Sequence, residues 1–132
     1  MKLNYDCIRD LLLCLEDNLK YEVDLDFNKV KEKSIPLQKL YKLLCDYTDN
    51  EIFYSVIKLE EAGFISVHRY GDEAEHIRSV YDITYNGHQY LDTVRSPKMW
   101  ESIKSTAKEK AVDLSFLAIS AIAEKLMSKF LS

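Results

Sequence analysis

Apolar residues at Tyr5, Ile8, Leu12, Leu15 and Leu19 step by three and four, so residues 4–19 read as an amphipathic helix with Asn4 or Asp6 as its cap. Residues 20–34 change period. Val23, Leu25 and Phe27 alternate with polar neighbours, which predicts a short strand able to pair with a later hairpin, ahead of a lysine-rich turn. Ser34 and Pro36 then open a second helix, proline being favoured at the first helical position, and Leu37, Leu40, Tyr41, Leu43 and Leu44 carry its apolar face to about Tyr47. Thr48-Asp49-Asn50 is a turn rich in capping side chains, so a third helix begins near Asn50. Ile52, Val56 and Leu59 form its buried stripe, Phe53 and Ile57 widen it, and Gly63 ends it where a positive φ is needed.

Phe64, Ile65 and Val67 follow at once, a charged GDEAEH turn interrupts, and Ile77, Val80, Tyr81, Ile83 and Tyr85 resume, as two strands of a hairpin should. Asn86-Gly87 closes the hairpin and opens another helix, both residues tolerating the left-handed backbone of such a corner. That helix runs over 88–95. Ser96-Pro97 is a boundary, since the residue before proline leaves the α region, and Pro97 starts a helix with Met99, Trp100, Ile103 and Ala107 on one side. After Asp113 comes the segment LSFLAISAIAEKLMSKFLS. The expected fold is α+β and mainly helical: a winged helix-turn-helix over 1–95 with a C-terminal two-helix extension over 96–132.

The last helix has only a narrow polar strip, Ser120, Glu124, Lys125, Ser128 and Lys129, so its apolar surface must be sandwiched in the chain's own core or against a partner. The reading favours a homodimer, with Trp100, Phe116, Ile119, Ile122, Leu126 and Phe130 as its candidate interface. Composition agrees with a globular, mostly helical protein: 47% of the 132 residues are hydrophobic, with only three glycines and two prolines. Cys7, Cys14 and Cys45 form no CxxC pair, which disfavours a disulfide framework or a structural zinc site and suits the cytoplasm. No run is apolar enough to span a bilayer.

Charge bears on what the helix-turn-helix binds. The chain has 18 basic and 22 acidic residues, without the overall basic footprint of a strong nucleic-acid binder. If it reads DNA, the third helix lies in the major groove, and Asn50, Tyr54, Ser55 and Lys58 are candidate contacts, joined by Arg69 and Arg78 of the wing. Lys39 and Lys42, with Lys29, Lys31 and Lys33 before them, form the one concentrated positive region. Residues 49–62 hold four carboxylates against one lysine, and this motivates an alternative: a protein-interaction module whose Glu51 and Glu61 engage a host or phage protein without touching DNA. No nucleophile, orienting partner or metal-ligand spacing is evident; His68, His76 and His88 do not form a ligand set. The expectation is a non-enzymatic protein without cofactor or metal.

Three stretches, MKLNYDCIRDLLLCLED, IFYSVIKLEEAGFISV and YDITYNGHQYLDTVRSPKMWESIK, resemble the DUF2513 family, most specifically through Thr84, Gly87, Tyr90-Leu91-Asp92 and Trp100. The resemblance covers nearly the whole chain. It implies a winged helix with a C-terminal helical extension and a bacterial, prophage or mobile-element setting, and it supplies no activity.

Overall fold

Asn4 proves to be the cap that starts the first helix: its Oδ1 accepts from the Cys7 N–H at 3.1 Å. The structure, a computed structural model, describes residues 1–70 and 78–131, the side chain of Phe130 excepted. The expected turn with Asp72, Glu73, Glu75 and His76, and Ile77 after it, lies outside the described residues. Helix α1 spans Tyr5–Asn18 and buries Cys7, Ile8, Leu11, Leu12 and Leu15.

The alternating segment that follows is a two-stranded ribbon, β1 (Lys20–Asp24) with β2 (Lys29–Lys33), antiparallel. This corrects the expectation of a strand pairing with the later hairpin. The reason lies in residues 25–28: Asp24 Oδ1 accepts from the N–H groups of Asp26 (3.1 Å) and Phe27 (3.4 Å), and Asn28 takes φ +51°. That tight turn folds the chain back on itself. A separate short strand, β3 (Ile35–Pro36), joins the main sheet instead.

Pro36 accordingly sits at the cap position and not inside the second helix, and α2 spans only Leu37–Leu43. The chain turns after Leu44, and the Tyr47 hydroxyl donates to Asp10 Oδ2 on α1. Thr48 then caps α3 (Asp49–Glu61) in a full capping box: its Oγ1 accepts from the Glu51 N–H, and Glu51 Oε1 accepts from the Thr48 N–H, both at 3.1 Å. Ile52, Val56 and Leu59 are buried, and α3 packs against α1 and α2. At its far end Gly63 has φ +76°, with Gly63 N–H to Glu60 O at 3.0 Å and Phe64 N–H to Leu59 O at 2.9 Å, a Schellman stop.

Strands β4 (Ile65–Arg69) and β5 (Arg78–Ile83) complete an antiparallel sheet of order β3-β5-β4, with a bulge between Ser66 and Val67. Helix α4 spans Tyr85–Val94. Thr84 caps it, Oγ1 accepting from the Gly87 N–H at 3.1 Å. Asn86 and Gly87 are therefore in the first helical turn, and neither has positive φ. What requires glycine at position 87 is a close approach: a Cβ there would stand 2.0 Å from the Phe64 carbonyl oxygen. Thr84 N–H donates to that same oxygen at 3.0 Å, and the Thr84 hydroxyl donates to Gly63 O. The corner entering the hairpin and the corner leaving it are thus tied together.

The chain divides into two compact units, Met1–His88 and Gln89–Ser132, the division falling inside α4, ahead of the Ser96-Pro97 corner at which the sequence places it. In the second unit Ser96 caps α5 (Pro97–Glu109), which ends in another Schellman stop with Ala111 at φ +54°. Helix α6 spans Phe116–Leu131 and packs on α5. The fold is α+β, mainly helical, with small antiparallel sheets.

Candidate functional site

The candidate charged residues of the first unit lie on three elements: α2, α3 and the ribbon. Burial of Leu37 and Leu40 leaves Lys39 and Lys42 on the exposed side of α2. On α3, Asn50 is exposed in the first turn, and Tyr54 is half-buried beneath Lys58, whose Nζ lies 5.4 Å from the ring centroid. Asn50, Tyr54 and Lys58 follow one another at helical spacing, so they share a side of α3.

Ser55 does not belong to that side. It is 1% exposed, and its hydroxyl donates to the Glu51 carbonyl at 2.7 Å, so as a base contact it is withdrawn. Lys58 is also held by Glu61, Nζ to Oε2 2.9 Å, which raises its pKa through the hydrogen bond from that carboxylate. Arg69 is paired with Glu60 at 2.6 Å, and the Arg78 guanidinium is half-buried over the Phe53 ring at 5.3 Å. The carboxylates that oppose phosphate in the sequence reading are therefore largely engaged within the chain. Glu51 is the clearest case. Beyond the capping box its Oε2 accepts from Asn4 Nδ2 at 2.7 Å, and hydrogen bonds, that from Asn4 foremost, hold its carboxyl below the usual range. As partner-binding candidates, Glu51 serves the start of α3 and Glu61 serves Lys58.

Burial pushes the Cys7 thiol pKa up and that of Cys14 likewise, and the Tyr47 phenol is raised by burial and by its bond to Asp10. No group of metal-ligating side chains occurs among the described residues, and no described helix is long and apolar enough to cross a membrane.

In the second unit Trp100, Ile119 and Ile122 are buried by the chain itself, and Phe116 stands edge-on to Tyr90 at 4.8 Å. Those candidates for a dimer interface already fill an internal core. Leu126 is half-buried, and the Phe130 side chain lies outside the described residues. Surface remains at Leu117, Met127 and Leu131 of α6, of which Leu117 is 83% exposed. Beside α6 a groove of about 650 Å³ is lined by Thr93, Met99, Leu117, Ala121, Glu124 and Met127 among others.

The sequence singles out Lys29, Lys31 and Lys33 as part of its one concentrated positive region; it does not show that they lie on one face of a β1–β2 ribbon.

A family model described as a hypothetical protein, DUF2513, matches residues 2–113. A protein of Haemophilus influenzae described as uncharacterized is 30% identical over 132 residues, all of both chains. No solved structure matches.

Proposed function

The chain belongs to the DUF2513 family, and from that premise we propose that its first unit is a winged helix-turn-helix that binds duplex DNA as a non-enzymatic regulator of transcription. The observation that carries this reading is the order of elements, α1, the β1–β2 ribbon, β3, α2, α3, β4, β5, with sheet order β3-β5-β4: two helices joined by a turn and followed at once by two strands that close the sheet. In this reading α3 presents Asn50, Tyr54 and Lys58 to the major groove, and Lys39 and Lys42 of α2 meet the phosphate backbone. The regulated genes belong to a phage or mobile element, the setting that the family resemblance implies. The protein works as a homodimer through the exposed side of α6, since two symmetric copies read two half-sites.

The alternative, docking of an acidic α3 on a protein, ranks second because Glu51, Glu60 and Glu61 already have partners within the chain. Fluorescence anisotropy decides between them. Labelled duplexes, one random and one from the gene's own upstream region, are titrated at low and moderate salt. Tighter binding to the upstream duplex that weakens with salt is expected; no binding to either at low salt would discard the DNA reading.

A further inference from the structure

Directly opposed residues of an antiparallel ribbon share a face. Lys20 lies opposite Lys33, Glu22 opposite Lys31 and Asp24 opposite Lys29, so one face carries four lysines and two carboxylates. Tyr21 opposite Glu32 and Val23 opposite Val30 make the other face. The two carboxylates on the lysine face have other duties. Glu22 is paired with Lys33 at 2.6 Å, and Asp24 closes the turn through the backbone of Asp26 and Phe27. Lys20, Lys29 and Lys31 have no ion pair among the described residues. At the tip Leu25 and Phe27 are 87% and 71% exposed. The base is fastened to the sheet: Glu32 Oε1 lies 2.7 Å from His68 Nε2, and the His68 ring stacks on Tyr81 at 4.0 Å.

Affinity for DNA comes mainly from cations that neutralise phosphates and release counterions. A lysine or arginine already held by a carboxylate must break that pair first. Lys58 and Arg69, the cations of α3 and β4, are both held in this way, and so is Lys33, whereas Lys20, Lys29 and Lys31 of the ribbon are open. Lysines at alternate strand positions are spaced by roughly 7 Å, close to the separation of successive phosphates along one DNA strand. A regular polyanion suits that spacing better than a fluid lipid surface does.

We infer that the β1–β2 ribbon is a DNA-binding arm: its lysine face lies along the phosphate backbone of the duplex held by the first unit, and Leu25 and Phe27 make apolar contact in the adjoining groove. The inference rests on the DNA reading of that unit and adds the element that supplies most of its phosphate contacts.

The test measures the salt dependence of affinity for a labelled random-sequence duplex with the full chain, with Lys29→Gln/Lys31→Gln and with Leu25→Ser/Phe27→Ser. All four positions are exposed, so the variants spare the core. The lysine variant should show a slope of log affinity against log salt shallower by about 2, one for each phosphate that is no longer neutralised; the tip variant should keep the slope and bind more weakly. If the unaltered chain binds but the lysine variant keeps its slope, the arm is refuted while the DNA reading stands. If the unaltered chain fails to bind at low salt, both fall. Co-sedimentation with phosphatidylserine vesicles that the tip variant abolishes, with duplex affinity unchanged by it, would reassign the ribbon to membranes and overturn the arm.

Discussion

The Asn4 side chain ties the start of α1 to the start of α3: Oδ1 accepts from the Cys7 N–H at 3.1 Å while Nδ2 donates to Glu51 Oε2 at 2.7 Å, across 47 residues of sequence. Because Glu51 is also half of the α3 capping box, one amide orients the helix on which the proposed DNA contact depends. Asn4→Ala removes both bonds and should lower stability by about 1–2 kcal/mol in urea unfolding. A loss within a few tenths would mean that the two helix starts are held independently.

The same carboxylate sets a pH dependence. Glu51 has a folded pKa below its ordinary value of 4.5, chiefly through Asn4 and next through the Thr48 backbone. A depressed carboxyl contributes stability that is fully present above the unfolded pKa and lost as pH falls through the folded one. Urea midpoints should therefore decline more steeply below about pH 4.5 for the unaltered chain than for Glu51→Gln. Parallel declines would contradict this.

Three positions with different backbone demands should separate cleanly. Gly87→Ala drives a Cβ to 2.0 Å from the Phe64 carbonyl, which cannot move without breaking the Thr84 bond, so a severe loss of about 3 kcal/mol or more is expected. Gly63→Ala meets open space but keeps φ +76°, for about 1 kcal/mol. Ala111→Gly relieves φ +54° and should stabilise the chain by up to about 1 kcal/mol. Thermal or urea unfolding of the three variants checks the order.

Leu117→Glu/Leu131→Glu should leave the unfolding midpoint within about 0.5 kcal/mol of the parent, since both side chains are exposed, and should convert the proposed dimer to monomer by sedimentation. Trp100→Ala should instead cost about 3–5 kcal/mol, because its ring is 3% exposed in the core of the second unit. An unchanged sedimentation coefficient in the α6 variant would remove that face from the interface.

Helix periodicity makes α1, α3, α5 and α6 legible, and Asn4, Gly63 and Ser96-Pro97 mark ends that the structure keeps. Sequence reading fails where the deciding neighbour is distant along the chain. Gly87 reads as a turn glycine locally, but its constraint is the carbonyl of Phe64. Pro36 marks the start of α2, but that Ile35 and Pro36 also pair with Val80 and Ser79 on β5 is not visible locally. Ser55 reads as a polar position on the outer side of α3 and is buried in space. For the site, exposed lysines are countable, but whether a carboxylate already holds each one depends on partners as remote as Glu22 is from Lys33, and only geometry reveals it.

The most direct test of the central claim is an amide NMR titration of the full chain with duplex DNA at low salt. The expected result is perturbation at Lys39, Lys42, Asn50, Tyr54 and Lys58, together with the β1–β2 ribbon, reversed by added salt. Resonances that stay fixed with excess duplex, or that move only within residues 97–131, would contradict it.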